Sequence, residues 1–166
     1  MTLRSTLAAA LLAAALAAAA GTALAQAAPY QYALPQGWTR ASEGDTEVLV
    51  PAAEPAGSVQ VLILAPKPIA GDFDSQFAAE RAQLEQFWSL RAPAPVAPQR
   101  GQSAQGPYAA YFASYDSDGG PRYMSFLALG SGGQFALLVF VAASHDAFNR
   151  VAPQATQIFT TLRVAR

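Results

Sequence analysis

The stretch Phe135-Ala136-Leu137-Leu138-Val139-Phe140-Val141 is apolar at every position, and it constrains the fold more than any other part of the chain. Successive side chains of a strand point to opposite faces. A strand apolar on both faces cannot leave either one in water, so this segment has to be covered above and below. A three-layer architecture is therefore expected before any other element is placed.

The neighbouring segments supply the layers. Tyr108 to Tyr115, Arg122 to Leu129 and Gln134 to Ala143 read as three strands, joined by Asp116-Ser117-Asp118-Gly119-Gly120 and Gly130-Ser131-Gly132-Gly133. Both linkers have the composition of hairpin turns, so the three strands are expected to be antiparallel neighbours. Arg100 to Gln105 adds a weaker edge strand before them. Earlier in the chain, Tyr30 to Leu34, Glu47 to Val50 and Val59 to Ala65 read as a three-stranded meander. Pro35-Gln36-Gly37 forms its first turn, and Trp38 is expected against the core edge. The Pro51 to Gly57 loop excludes helix between the later two strands.

Two segments have helical spacing. Phe73, Phe77, Leu84, Phe87 and Trp88 recur on one stripe, with Asp72 as N-cap. This helix is expected to run to about Arg91 and to be stopped by Pro93, Pro95 and Pro98. A second stripe, Phe148, Val151, Ala155, Ile158, Phe159 and Leu162, opens at Ser144 or Asp146. Pro153 predicts a kink in it, or a short first turn followed by the main helix. Two amphipathic helices and one two-faced strand give an α+β fold in which an antiparallel sheet is sandwiched between helices.

The front of the chain reads as an address. Arg4 precedes an unbroken Ala/Leu stretch from Leu7 to Ala20, and Ala23-Leu24-Ala25 ends it with small residues at the positions signal peptidase reads. Cleavage is expected after Ala25, giving a 1–25 signal peptide and one domain over 26–166 in the periplasm or outside the cell. Alanine contributes too little transfer free energy for the stretch to make a strong membrane span. No stable span is expected after cleavage, although retention as an anchor stays open. Removing those 25 residues leaves 141, with Arg4 gone: nine basic against eleven acidic side chains, a net charge of −2. That balance lacks the basic footprint of a nucleic-acid partner. Lys67 is the only lysine among the basic residues, a bias expected of a GC-rich bacterial genome.

The order of these parts resembles the Mog1/PsbP-like family. The resemblance rests on Tyr32-Ala33-Leu34-Pro35-Gln36-Gly37-Trp38, the long helix from Phe73 to Trp88, the paired hairpins and the closing Ile158-Phe159-Thr160-Thr161-Leu162-Arg163. It covers nearly all of Tyr30 to Val164. What it implies is a single α/β/α domain, exported in bacterial members, that serves as a binding or assembly module. The family's members range over accessory subunits of photosynthetic complexes, a regulator of a small GTPase, and envelope or secretion accessory proteins. The family carries no catalytic motif to transfer. This chain has no Cys, and so lacks the lipidation site of the anchored members.

Reactive chemistry is sparse. With no Cys and a single His, a thiolate nucleophile and the usual structural zinc sites are excluded. Ser144-His145-Asp146 places three triad residue types in a row, where their side chains diverge and cannot form a relay. Asp116-Ser117-Asp118-Gly119 begins like a calcium loop but lacks the remaining oxygen ligands. Glu43, Asp45 and Glu47 around Gly44 read as a solvated turn before they read as paired catalytic carboxylates. Gly130-Ser131-Gly132-Gly133 lacks the helix start that a phosphate cradle needs. No catalytic residue, metal or cofactor is assigned. Tyr108, Tyr111, Tyr115 and Tyr123 alternate on adjacent strands and are the candidate ligand or partner surface, with core packing as the competing role.

These observations predict an exported, non-catalytic binding or accessory module of the bacterial envelope that recognises a protein partner or a small ligand. The alternatives are an exported hydrolase using His145, and an immunity-like or structural envelope protein. The sequence leaves the identity of the partner and the oligomeric state open.

Overall fold

The computed structural model describes residues 29–90, 97–117 and 119–164. The expected signal peptide, Pro93, Pro95 and Asp118 lie outside them. In chain order the elements are β1 (Tyr30–Gln31), β2 (Trp38–Glu43), β3 (Thr46–Pro51), β4 (Val59–Pro68), α1 (Phe73–Trp88), β5 (Gln99–Ser103), β6 (Gly106–Ser117), β7 (Gly120–Ser131), β8 (Gln134–Ala142), α2 (His145–Thr161) and β9 (Arg163–Val164). Seven strands form one antiparallel sheet in the order β2-β3-β4-β8-β7-β6-β5. The two-faced strand β8 is its centre, with three strands on either side.

The alternation along β8 explains the layers. Ala136, Leu138, Phe140 and Ala142 pack under Ala147, Val151, Ala155 and Ile158 of α2 and under Leu162, its C-cap. Phe135, Leu137, Val139 and Val141 point the other way, into a separate cluster with Phe73 and Phe77 of α1. All eight are buried. One strand thus serves two cores, and the sandwich expected from its composition is present.

Both helices are set by their ends. Asp72 caps α1, its carboxylate accepting from the Ser75 N–H at 2.8 Å and the Ser75 hydroxyl at 2.7 Å. α1 stops at Trp88, and Arg91, its expected end, lies outside the described residues. Ser89 takes a left-handed conformation (φ 51°), and the Leu90 N–H closes back on the Glu85 carbonyl at 3.0 Å. The stop is therefore a local C-cap that precedes the proline-rich stretch. α2 is one unbroken helix capped by Ser144, and not a short turn followed by a helix. Pro153 and Asn149, four residues before it, are both exposed. The hydrogen bond that proline forfeits is thus on the solvent side, where water replaces it.

The opening strand is placed differently from expectation. Only Tyr30 and Gln31 are extended in a ladder, and they pair with Val164 and Arg163 of β9, away from the main sheet. The first strand of the meander is β2, which hairpins onto β3 through Gly44-Asp45, with Gly44 at φ 59°. β2 gave no apolar alternation because it is an edge strand with a single buried residue, Trp38. That indole is 7% exposed, and its N–H donates to Gln154 Oε1 of α2 at 2.9 Å.

Candidate functional site

The two helices do not cover the sheet equally. α2 packs against β4, β8 and β7, and on its side of the sheet β6 and β5 continue beyond it. Tyr108 and Ala110 of β6 and Leu127 and Leu129 of β7 form an apolar floor there. Thr156, Phe159 and Thr160 of the last turns of α2 form one wall, and Ser103 and Gln105 of the β5–β6 hairpin form the other. The groove between them encloses about 390 Å³.

Local sequence shapes this groove. Tyr108 pairs across the ladder with Gly101, and its ring lies over the glycine so closely that a Cβ there would sit 2.6 Å from the ring. The missing side chain lets the ring lie across the edge strand. Tyr108 meets Phe159 edge to face, with centroids 6.4 Å apart and planes at 73°. At the hairpin, Gly106 runs against the backbone of Gly130, where a Cβ would overlap the Gly130 carbonyl oxygen. The Ser103 hydroxyl donates to the Gly106 carbonyl and accepts from the Gln105 N–H, fixing the turn. None of the nine lining residues is Asp, Glu, Lys, Arg or His.

The four tyrosines do not converge. Tyr108 lines the groove. Tyr123 lies at the opposite end of α2, against His145 at 5.6 Å and Phe112 at 6.4 Å. Tyr111 and Tyr115 are on the other face of the sheet, beneath α1. Tyr111 stacks on Phe126 (6.0 Å, 11°) under the Arg81 guanidinium, and its hydroxyl is pushed above the usual phenol range by burial and by a hydrogen bond to Glu85. Tyr115 stacks on Trp88 at 6.3 Å, and burial raises its hydroxyl too. Sequence reasoning missed Phe159, Leu127 and Thr156 as groove residues. The available signal was the Ile158-Phe159 pair: adjacent apolar residues on a helix cannot both point at one core, so one has to stand at its border.

The remaining motifs have structural roles. Ser144 Oγ accepts from the Ala147 N–H at 3.1 Å as the cap of α2, and His145 Nδ1 lies 3.2 Å from Asn149 Nδ2. No hydrogen bond joins Ser144, His145 and Asp146 among the described residues. Glu43 and Asp45 are exposed on the β2–β3 turn, while Glu47 accepts from the Tyr32 hydroxyl at 2.5 Å. That contact and burial together push the Tyr32 hydroxyl up to about 12, with burial the larger cause. Gly132 and Gly133, at φ 57° and 78°, form the two-residue turn between β7 and β8. A second hollow, about 350 Å³ beside Lys67, is bridged by its own residues. Lys67 pairs with Glu80 at 2.6 Å, and the Gln76 carboxamide accepts from the Ala70 N–H and donates to the Pro68 carbonyl.

A central antiparallel sheet with one helix on each face defines a small α/β/α domain, here with an apolar groove at one end of the sheet. Compared by sequence, the chain matches no family model and no curated protein. Compared by structure, it is similar to cyanobacterial PsbP (CyanoP) of Synechocystis, with a TM-score of 0.58 at 12% identity over 90% of this chain and 99% of that one. It is similar to LpqN of Mycobacterium tuberculosis, described as involved in cell envelope biogenesis, with a TM-score of 0.52 at 16% identity over 82% and 83%. The Ran-binding protein Mog1p of Saccharomyces cerevisiae aligns at 0.50 and 9% identity over 82% and 90%. The chain also spans 46% of the length of a Bacteroides thetaiotaomicron structure, at 0.56 and 12% identity. The fold is Mog1/PsbP-like. No helix among the described residues is long and apolar enough to cross a membrane.

Proposed function

We propose that this chain is an exported, non-catalytic binding or accessory module of the bacterial envelope, released by cleavage after Ala25, whose recognition surface for a protein partner or a small ligand is the groove between α2 and the β5–β7 end of the sheet. The observation that carries this reading is the groove itself: an uncharged, largely apolar recess where one core runs out of cover. The Ala/Leu leader supports export. LpqN and Mog1p lend support of a looser kind, because one is described by its role in the envelope and the other by a protein it binds, and shared fold does not select a partner.

The test has two arms. Fractionation of cells expressing the full chain, with N-terminal sequencing of the product, should find it outside the cytoplasm beginning at Gln26. The exported protein and its Thr156→Trp variant are then used to capture partners from an envelope extract. Thr156 is exposed on α2, so an indole there covers the groove and leaves the core intact. A defined partner held by the wild type and lost by the variant is the expected result. A cytoplasmic, uncleaved product overturns the export reading, and a partner held equally by both overturns the groove as its surface.

A further inference from the structure

We propose that the groove takes a small, neutral aromatic compound carrying one hydrogen-bond donor, of the phenol or indole class; this rests on the groove being the recognition surface. Charge narrows the class first. No Asp, Glu, Lys, Arg or His lines the recess, so an ionised ligand would leave water without a counter-charge, a cost that a neutral one does not meet. Shape comes next. Tyr108 and Phe159 stand at 73° with centroids 6.4 Å apart, forming a corner in which a third ring packs its face on one and its edge on the other. The space, about 390 Å³, sits near the lower end of the roughly 300–1,000 Å³ of small-molecule sites. It suits one or two rings.

The hydrogen-bond inventory supplies the last requirement. The Ser103 hydroxyl is used within the hairpin, and the Thr160 hydroxyl donates to the Gln157 carbonyl. Gln105 Oε1 is the buried group left unspent, since no donor among the described residues reaches it, whereas the unpartnered hydroxyls of Tyr108 and Thr156 belong to residues that water still reaches. A buried acceptor without a partner is costly. A small turn of the Gln105 side chain toward the groove offers this oxygen to a ligand O–H or N–H, which relieves the cost and fixes the ligand's orientation.

The test uses four probes on the 15N-labelled exported protein: indole, 4-ethylphenol, ethylbenzene and 4-ethylbenzoate. Indole and 4-ethylphenol should shift the amides of the β5–β6 hairpin and the last two turns of α2, and 4-ethylbenzoate should bind about tenfold more weakly or worse. Gln105→Met should weaken 4-ethylphenol by about tenfold while leaving ethylbenzene unchanged, since only the former has a donor to lose. Thr156→Trp should abolish all binding at an unchanged unfolding midpoint. The proposal is overturned if no groove amide moves with indole or 4-ethylphenol, if the carboxylate binds as well as the phenol, or if Gln105→Met weakens ethylbenzene equally. An envelope partner lost by Thr156→Trp in a protein that binds no probe would overturn this inference and leave the functional reading standing. Probe binding at the groove, with no partner captured, would support the inference and confine the reading to its small-ligand form.

Discussion

Leu137 and Leu138 are adjacent in the chain and belong to different cores, which makes them a direct probe of the three-layer architecture. They are 2% and 0% exposed. Cutting either back to alanine removes three carbon atoms, about 2 kcal/mol of transfer free energy at about 0.8 kcal/mol per methylene. The cavity left behind raises the expected loss to about 2–5 kcal/mol. Against the roughly 5–15 kcal/mol of a typical domain, each change should move a urea midpoint by about 1–2 M. The protein carries its own reporters, because Trp38 packs in the α2-side cluster and Trp88 against the α1-side one. Unfolding is followed by fluorescence in Trp38→Phe and Trp88→Phe backgrounds, each of which leaves one indole. Leu137→Ala and Leu138→Ala should both shift both transitions, which should coincide if the two cores share one cooperative unit. Ser42→Ala, on the exposed run of β2, should stay within about 0.5 kcal/mol of the wild type. The reasoning fails if either leucine variant does the same, since one face of β8 would then be wet.

Ser144→Ala removes the side-chain oxygen that caps α2 and should cost about 1 kcal/mol by denaturant unfolding, with Ser144→Asp retaining most of it. Gly106→Ala and Gly101→Ala should separate sharply. The first sets a methyl against the Gly130 backbone at φ 146° and should cost several kcal/mol, whereas the second meets only the movable end of the Tyr108 ring and should mainly alter the groove, visible in the aromatic NMR signals of Tyr108. Glu54 forks onto Arg150 Nε and Nη2 at 2.7 and 2.8 Å, and the hydrogen bonds from Arg150 hold its carboxyl below the ordinary 4.5. A lowered folded-state value stabilises above 4.5 and is lost as pH falls through that lowered value. The midpoint difference between wild type and Arg150→Ala should therefore be largest near neutral pH and shrink in acid. An equal difference at both pH values would show that ionisation of Glu54 contributes nothing, with Asp146, the other carboxylate acting on Arg150, as the control substitution.

The parts legible in the sequence were those where burial enforces a period. β8, the two hairpin turns and the apolar stripe of α2 follow from Phe135 to Val141, from paired glycines and from Val151, Ala155 and Ile158, because each residue's environment is dictated by the next layer. The edges were not legible. Trp38–Glu43 buries one residue of six, so no alternation marks it as a strand, and what holds it is the ladder to β3, a pairing that leaves no trace in composition. Tyr30 and Gln31 are strand-like only because β9 returns beside them after more than a hundred residues. The candidate site was half legible for the same reason. Tyr108 was visible as an aromatic residue on a strand, but whether an aromatic side chain is covered or left at a rim depends on which helix lies above it. Tyr111, three residues on, has Arg81 and α1 over it; Tyr108 has only the edge of Phe159.

The groove follows from arithmetic that any sheet of this width must satisfy. Seven strands spaced about 4.8 Å apart make a sheet roughly 29 Å across, and a helix with its side chains is about 10–12 Å wide. One helix per face therefore leaves more than half of that face to be covered by something else. On the α2 side, the β2–β4 half is closed by the segment around β1: Tyr30 and Tyr32 pack into that cluster, and the Tyr32 hydroxyl anchors on Glu47. Among the described residues no such segment reaches the β6–β5 half. A chain selected only for solubility would meet that deficit with polar residues, as β5 does on this face with Gln99 and Ser103. β6 and β7 instead present the half-buried Tyr108 and Leu127 to the same opening, over a buried Leu129, keeping apolar surface where the cover is missing. Exposed apolar surface is costly in water, and an occupant would recover that cost, which favours the proposed recognition surface here over the well-packed aromatic residues under α1.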